Sequence, residues 1–253
     1  MKVIISPAKK MRSDADFLEP SAMPQLLFKT RRLEEYLNSL SLEELKKLLC
    51  CSDRIAKECY QQFIDLDLFH NPSPALFSYV GIQYQYMAPQ LFTSAQLDYT
   101  REHLRILSGF YGLLRPFDGV VPYRLEMQAK CRTDSCKNLY DFWKDDIYRL
   151  LTNEDDTIIN LASAEYSRAV TPFLDKTTRF ITAVFGEAGA GKIVEKGVYV
   201  KMARGEMVRW LAEKQIEEPQ EIKYFDRLGY HFSNMLSNET KYVFVREENW
   251  NRK

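Results

Sequence analysis

The 253-residue chain has few of the residues that hold metals or build disulfide frameworks. It contains three histidines, far apart in the sequence, and five cysteines without regular spacing, and neither a CxxC nor an HExxH motif occurs. The pair Cys131 and Cys136 is more typical of two ordinary thiols than of a zinc site. The sequence therefore predicts no metal site and no cofactor, and its unpaired cysteines are typical of a reducing compartment.

Long apolar runs are absent as well. No segment approaches the roughly 20 apolar residues of a membrane-spanning helix. The first residues, MKVIIS, hold an apolar run of only three, which is too short for a signal peptide. We therefore expect a cytoplasmic protein without a membrane partner. Because 35 basic residues face 35 acidic residues, net charge alone indicates neither a nucleic-acid nor a membrane-surface partner.

What the chain does contain is an alternation of short apolar strands with segments of helical periodicity. This order and a hydrophobic content of 45% predict a single mixed α/β domain over residues 1–253, with helices flanking a mixed β-sheet. Strands are predicted at residues 3–5, 157–161, 180–185, 193–200 and 242–246, and a strand or hairpin at 76–86. Helices are predicted at residues 26–40, 41–50, 52–63, 93–107, 139–151 and 204–213, with a capping box at Ser41.

Positive charge is concentrated in three segments. Residues 2–12 hold four basic residues and no acidic one, and residues 101–132 and 192–214 each hold six basic and three acidic residues. If the three segments meet in the fold, this neutral protein carries a basic cleft. If they stay apart, they are solvated faces of the surface.

Residues 101–127 combine the end of a predicted helix, a turn from Gly109 to Gly112 and a set of charged side chains. A glycine turn after a helix is typical of the helix-hairpin-helix element, whose backbone amides bind the phosphates of duplex DNA. The alternative is a helix cap followed by an ordinary turn, and Pro116 comes too soon for a long second helix. The residues that follow the turn include Arg115, Asp118, Tyr123, Arg124 and Glu126.

The charged residues of this segment have two interpretations, and both stay open. The carboxylates and arginines form structural ion pairs, as they do in many proteins. In an enzyme, Glu126 or Asp118 would instead be an acid/base group and Arg124 would bind an anion.

Small polar residues follow two of the predicted strands, at Ser6-Pro7-Ala8-Lys9 and Asn160-Leu161-Ala162-Ser163. In open α/β sheets, ligands bind beyond the carboxyl ends of the strands. Lys201 and Arg204 add two cations at a predicted strand-to-helix corner. Residues 186–192 fit the GxxxxGK pattern of a phosphate-binding loop. That loop requires Ser or Thr after the lysine and then a helix, whereas here Ile193 follows the lysine and a strand is predicted. We therefore predict a hairpin turn there.

Five motifs occur in one order: SPAK at residues 6–9, LSGFYGLLRPFD at 107–118 followed by PYRLEM, LYDFW at 139–143, INLASAEY at 159–166 and KMARGEMVRWL at 201–211. In these motifs the chain resembles the YaaA family, also catalogued as UPF0246 or DUF328. The resemblance implies a cytoplasmic bacterial protein of the peroxide-stress response, associated with low free intracellular iron. It also implies one α/β domain with a helix-hairpin-helix-like element and a positively charged cleft that binds double-stranded DNA.

The resemblance further implies which residues line the cleft. One departure is Val80-Gly81-Ile82, which stands where a polar turn similar to Lys-Gly-Asp is expected. The lack of histidine and cysteine clusters favours an indirect effect on iron. The implied DNA-binding residues are Lys9, Gly109, Gly112, Arg115, Tyr123, Arg124, Lys201 and Arg204, and the further polar lining is Ser6, Asp118, Glu126, Asn160, Ser163 and Glu165.

The sequence thus leaves functions of different classes open. The first is a DNA-binding protein without sequence specificity or enzymatic activity, most simply a monomer, which limits iron-dependent oxidative damage. This function would require an open basic groove. An enzyme acting on a small nucleotide-like or phosphorylated substrate predicts a deep pocket in the same cleft. A cleft that binds another protein is a third alternative.

Overall fold

The structure, a computed structural model, describes residues 1–12, 18–132, 136–189 and 192–247. The described strands are β1 Lys2–Ile5, β2 Lys10–Met11, β3 Ser73–Pro74, β4 Tyr79–Val80, β5 Leu104–Ser108, β6 Gly112–Leu114, β7 Gly119–Val120, β8 Thr157–Asn160, β9 Arg179–Gly189, β10 Lys192–Val194, β11 Tyr230–Phe232 and β12 Lys241–Arg246. The described helices are α1 Leu27–Ser39, α2 Leu42–Leu49, α3 Asp53–Ile64, α4 Ala75–Ser78, α5 Ile82–Met87, α6 Ser94–His103, α7 Leu139–Trp143, α8 Asp146–Glu154, α9 Ala164–Ser167 and α10 Gly197–Lys214.

Eight of these strands form one mixed sheet in the order β11-β12-β9-β8-β1-β5-β6, with β10 paired to β9. The five strands β12, β9, β8, β1 and β5 run parallel to one another, whereas β6, β10 and β11 are antiparallel to their neighbours. In the centre of the sheet, Val3 pairs with Leu104 on one side and Ile159 on the other. The carboxyl ends of β1, β5 and β8 therefore meet at the same edge of the sheet.

The central strands are buried along their whole length, which explains why they read as continuous apolar runs. Every residue of β1 and β5 is buried, and so are the last three residues of β8. Helices cover the sheet, and large side chains such as Trp143, Phe63 and Phe225 are buried in the common core. The predicted mixed α/β fold, with a mixed sheet flanked by helices, is confirmed.

The helix-hairpin-helix prediction is not confirmed, because the element before the glycine turn is a strand. Helix α6 ends at His103, and residues 104–108 continue as β5 in the buried interior of the sheet. The turn Gly109–Gly112 therefore joins two antiparallel strands, with Ser108 opposite Gly112. Leu104 and Leu107 have helical spacing to Leu97, but strand pairing on both sides of β5 outweighs this local periodicity.

Other predicted elements differ where tertiary contacts decide the local structure. Residues 76–86, predicted as a strand or hairpin, are mostly helical, in α4 and α5, around the two-residue strand β4. Residues 198–200, predicted as part of a strand, lie in α10, which begins at Gly197. The predicted helix over 139–151 is two helices, because Lys144 adopts a left-handed φ of 49° between them.

The predicted hairpin at residues 186–192 is confirmed by the antiparallel pairing of Gly189 with Lys192. Residues 190 and 191 of that turn lie outside the described residues. A search of the described chain finds no helix with the length and apolar character needed to cross a membrane.

Candidate functional site

A cavity of about 370 Å³ opens at the carboxyl ends of β1 and β8. Its walls come from the loop after β1, the segment from β4 into α5, the start of α9, helix α10 and the side chain of Glu126. A volume of this size is typical of small-molecule sites. We call it the strand-end cavity.

Hydrogen bonds between the loops after β1 and β8 fix two hydroxyl groups at this cavity. The Ser163 backbone N–H donates to Ser6 Oγ over 2.9 Å, and the two serine hydroxyls lie 3.3 Å apart. The Ser6 carbonyl accepts from the Tyr84 hydroxyl (3.1 Å) and from Gln83 Nε2 (3.3 Å). Asn160 is buried, and its Oδ1 accepts from the Ala162 N–H over 2.9 Å, so it shapes the loop.

Close packing of α10 against α5 brings two cations to the cavity. Gly205 lies in the middle of α10, where a methyl group would overlap the carbonyl oxygen of Gln83 and lie 3.0 Å from the Met87 nitrogen. Because glycine has no Cβ, the two helices approach backbone to backbone. Lys201 and Arg204, on the same helix, then line the cavity beside Gln83.

Glu126 is the carboxylate at which a cation of residues 2–12 meets a cation of its own segment, residues 101–132. Its side chain is 10% exposed, and its Oε1 lies 2.9 Å from Lys9 Nζ and 3.2 Å from Arg124 Nη2. The ion-pair interpretation of this part of the charge cluster is therefore supported. Arg124 is bound to a carboxylate of its own chain, which reduces its capacity to bind an external anion.

A second cavity of about 490 Å³ lies beside the first, and Lys9 and Lys10 line both. The second cavity also has Arg54, Glu58 and Arg124 in its walls. Together the two cavities form what we call the basic groove, whose cations come from all three positively charged segments and from α3. These six cations, Lys9, Lys10, Arg54, Arg124, Lys201 and Arg204, face three carboxylates, Glu58, Glu126 and Glu165.

The charged groups of the strand-end cavity are not equally compensated. Glu165 accepts a hydrogen bond from the Gln128 N–H over 3.2 Å. Burial raises the pKa of Glu165 and the negative charge of Glu126 raises it further, while Lys9 opposes both effects. Burial lowers the pKa of Arg204, and its Nε is buried without a hydrogen-bond partner. Among the described residues, no carboxylate forms an ion pair with Arg204.

Comparison with known proteins places the chain in a family. The sequence profile of the family described as "Peroxide stress protein YaaA" matches residues 1–236. The chain belongs to the YaaA peroxide stress family.

Relatives of this YaaA-family protein match it over almost their full lengths. A UPF0246 protein of Desulfitobacterium hafniense is 57% identical over 246 residues, which are 97% of this chain and 98% of the relative. A UPF0246 protein of Agathobacter rectalis is 49% identical over 247 residues, 98% of this chain and 99% of the relative. One from Pediococcus pentosaceus is 48% identical over 248 residues, with the same coverage of both chains.

Three residues that the YaaA resemblance implies for DNA binding are buried. Gly109 and Gly112 are both buried, and a methyl group on Gly112, whose φ is +75°, would lie 3.0 Å from the Trp143 ring. The Gly109 carbonyl accepts a hydrogen bond from Trp143 Nε1 over 3.0 Å. The Tyr123 hydroxyl bonds to the Ser108 and Tyr79 hydroxyls over 2.6 and 2.8 Å, and burial raises the pKa of Tyr123 to about 12. These contacts hold the β5–β6 hairpin in place, and Tyr123 also forms part of the wall of the second cavity.

Arg115 and Asp118 are not brought together with the other predicted site residues. They follow β6, which runs toward the amino ends of the parallel strands, and they are absent from the described lining of the two cavities. Asp118 Oδ2 accepts a hydrogen bond from the Arg115 N–H over 2.9 Å. Burial raises the pKa of Asp118 to about 6, while the Arg115 N–H and the charges of Arg115 and Arg105 oppose this rise.

The structure also adds residues that the sequence did not single out. Gln83, Tyr84 and Tyr166 line the strand-end cavity, and Arg54 lines the second one. They come from helices or from the apolar segment 76–86, where periodicity alone gave no functional signal. Lys10 directly follows the SPAK motif, so the pair Lys9-Lys10 could have indicated that Lys10 also belongs to the basic groove. At Val80-Gly81-Ile82 the wall carries no charge, and a methyl group on Gly81 would lie 3.2 Å from the Ala8 Cβ.

Proposed function

We propose that this protein binds the sugar-phosphate backbone of duplex DNA across the basic groove, independently of sequence, and thereby limits iron-dependent oxidative damage during peroxide stress. The observation that carries the proposal is that cations from segments far apart in the sequence converge on one surface. Phosphate contacts by lysine and arginine position a protein on DNA without reading its bases.

The exposure of the cations supports backbone binding. Lys9, Lys10, Arg54 and Lys201 are all exposed. Lys9 pairs with Glu126 and Arg54 with Glu58, but exposed ion pairs are weak and can be exchanged for phosphate contacts without rearrangement of the core. The strand-end cavity is too small to admit a duplex, so the DNA would lie across its opening. With three to five phosphates contacted, the logarithm of the affinity falls against the logarithm of salt with a slope of roughly 3 to 4.5.

The test is fluorescence anisotropy of a labelled duplex between 50 and 200 mM NaCl. We expect affinity to fall roughly 50- to 500-fold over this range, equally for two duplexes of unrelated sequence. The double variant Lys10→Gln/Arg54→Gln should weaken binding to both duplexes and lower the slope by about 2. The matched control is Arg115→Gln, which removes a cation of the same segment outside the groove and should leave the slope unchanged.

Three results would contradict the proposal. They are affinity that does not depend on salt, no binding to duplex at 50 mM NaCl, or an equal loss of affinity in the control and the double variant.

We propose as the second candidate an enzyme that acts on a small phosphorylated or nucleotide-like substrate. The volume of the strand-end cavity favours it, as do the two carboxylates, Glu126 and Glu165, in its walls. The test is substrate depletion from a panel of nucleotides and sugar phosphates, followed by chromatography. Turnover that is lost in Glu126→Gln while ligand binding is retained would support it, and no depletion of any panel member would contradict it.

A further inference from the structure

Arg204 is a partly buried cation that lacks the carboxylate partner found at two buried arginines. Arg105 Nε bonds to Glu154 over 2.7 Å, and Arg246 forms an ion pair with Glu187. For Arg204, no ion pair or hydrogen bond joins its guanidinium to any described residue, and its Nε is shielded from solvent. An unpaired buried cation destabilises a folded protein unless an anion compensates it.

A second cation lies on the same face of the same helix. Lys201 precedes Arg204 by three residues in α10, so the two side chains are neighbours on the helix surface, and both line the strand-end cavity. Like charges at this spacing repel each other. The α10 wall of the cavity therefore carries two cations that an anion would stabilise together.

The rest of the cavity has a different chemistry. Glu165 and Glu126 act on each other electrostatically, and Lys9 and Arg124 already balance the charge of Glu126. Glu165 is half-buried and keeps acceptor capacity beyond its bond to the Gln128 N–H. An anion is disfavoured beside these carboxylates, whereas hydroxyl or amino groups would donate hydrogen bonds to them.

We infer that the strand-end cavity binds a small phosphate monoester, of the class of a mononucleotide or a sugar phosphate, with its phosphate on Arg204 and Lys201 and its hydroxyl or amino donors on Glu165. The planar guanidinium presents paired donors that match a phosphate. The volume of about 370 Å³ lies within the range of small-molecule sites. The inference rests on the second proposed function, whose ligand class it names, but it does not require that the ligand be turned over.

The first experiment measures binding by isothermal titration calorimetry with AMP, ribose 5-phosphate and adenosine. AMP and ribose 5-phosphate should bind, and adenosine should bind at least about tenfold more weakly, because it lacks the charge-assisted bonds. Arg204→Gln should weaken both phosphate compounds by about tenfold to a hundredfold. The exposed Lys201→Gln, which leaves the core untouched, should weaken them in the same direction.

The melting temperature separates a ligand-binding role of Arg204 from a structural one. Without ligand, Arg204→Gln should melt at a higher temperature than the wild type, since the substitution removes a partly buried charge that has no ion-pair partner. The control is Arg209→Gln in the same helix. Arg209 bonds to Glu213 over 2.8 Å, so this variant should not melt higher and should bind AMP as the wild type does.

Glu165→Gln tests the other end of the ligand. It should weaken ribose 5-phosphate while leaving inorganic phosphate unchanged or more tightly bound, because a negative charge has been removed from the cavity. Equal weakening of both probes would overturn the assigned orientation. Absence of binding by all phosphate compounds at millimolar concentration, or unchanged binding in both Arg204→Gln and Lys201→Gln, would overturn the site. So would a lower melting temperature of ligand-free Arg204→Gln.

A parallel measurement keeps this inference distinct from the proposed functions. Arg54 lines the second cavity only, so Arg54→Gln should weaken duplex binding and leave AMP binding unchanged. Duplex binding without AMP binding would overturn the inference and leave the DNA proposal standing. AMP binding without depletion of any substrate would support the inference and contradict the enzymatic candidate.

Discussion

The position of the α10 cations depends on Gly205, and Gly205→Ala therefore tests how the fold builds the site. A methyl group there would overlap the Gln83 carbonyl oxygen and lie 2.9 Å from the carbonyl carbon, whereas carbon atoms are optimally about 3.5–4.0 Å apart. Both atoms belong to the backbone of α5, so no rotamer change relieves the overlap. One helix must move away from the other.

The expected loss of stability follows from two opposing effects. Overpacking a well-packed site costs about 1–3 kcal/mol, and contact with backbone atoms places this substitution at the upper end. Replacing glycine by alanine inside a helix returns about 1 kcal/mol. The net destabilisation of about 2 kcal/mol corresponds to a melting temperature lower by about 4–8 °C for a protein of this size. The displacement of Lys201 and Arg204 should also weaken AMP binding.

The control is Gly197→Ala, at the start of the same helix, where a methyl group would meet no atom within 4 Å. Gly197→Ala raises helix propensity without causing a steric overlap, so the melting temperature of this variant should equal or exceed that of the wild type. Differential scanning calorimetry of both variants provides the measurement. If Gly205→Ala melts with or above Gly197→Ala, the close approach of α10 to α5 does not position the site.

Two further predictions concern stability elsewhere in the chain. Because burial raises the pKa of folded Asp118 to about 6, the folded protein retains a proton that the unfolded chain releases near pH 4. The contribution of Asp118 to the free energy of unfolding should therefore fall by up to about 3 kcal/mol as pH rises from 4 to 6, whereas carboxyls with a lowered pKa, such as Glu187 and Glu213, contribute in the opposite direction. Urea unfolding across this range should show that Asp118→Asn lacks the decrease, and parallel profiles would refute the assignment. At the start of α2, Ser41 and Glu44 form a capping box, so Ser41→Ala should cost about 1 kcal/mol. Ser52→Ala, at a helix start without a side-chain cap bond, should cost less, and equal losses in urea unfolding would contradict this reasoning.

The sequence predicted the fold where local and tertiary preferences agree. The apolar run of β1 favours a strand and the Ser41 capping box favours the start of a helix, and both are observed. The prediction failed at residues 104–107, whose leucine spacing fits a helix. There the pairing of β5 with both β1 and β6 decides the conformation. Hydrogen bonds between segments a hundred residues apart leave no periodic signal in either segment.

The candidate site divides in the same way. Ser6, Lys9 and Ser163 could be predicted because the carboxyl ends of parallel strands meet wherever such a sheet forms, whereas Glu165 was implied by the family resemblance alone. Arg115 stands in the same motif as Arg124, yet only Arg124 lines the groove, because β6 reverses the chain and carries Arg115 toward the amino ends of the strands.

Charge compensation is the property that no sequence pattern reveals. Arg124 and Arg204 both carry a full positive charge, but the fold places Arg124 3.2 Å from Glu126 and leaves Arg204 without a carboxylate partner among the described residues. An external anion gains little from an arginine that is already neutralised and more from one that is partly buried and has no ion-pair partner. For this reason Arg204, rather than Arg124, is the cation expected to determine which small anions the strand-end cavity binds. The exposed lysines around the cavity are expected to determine how the protein meets a larger polyanion.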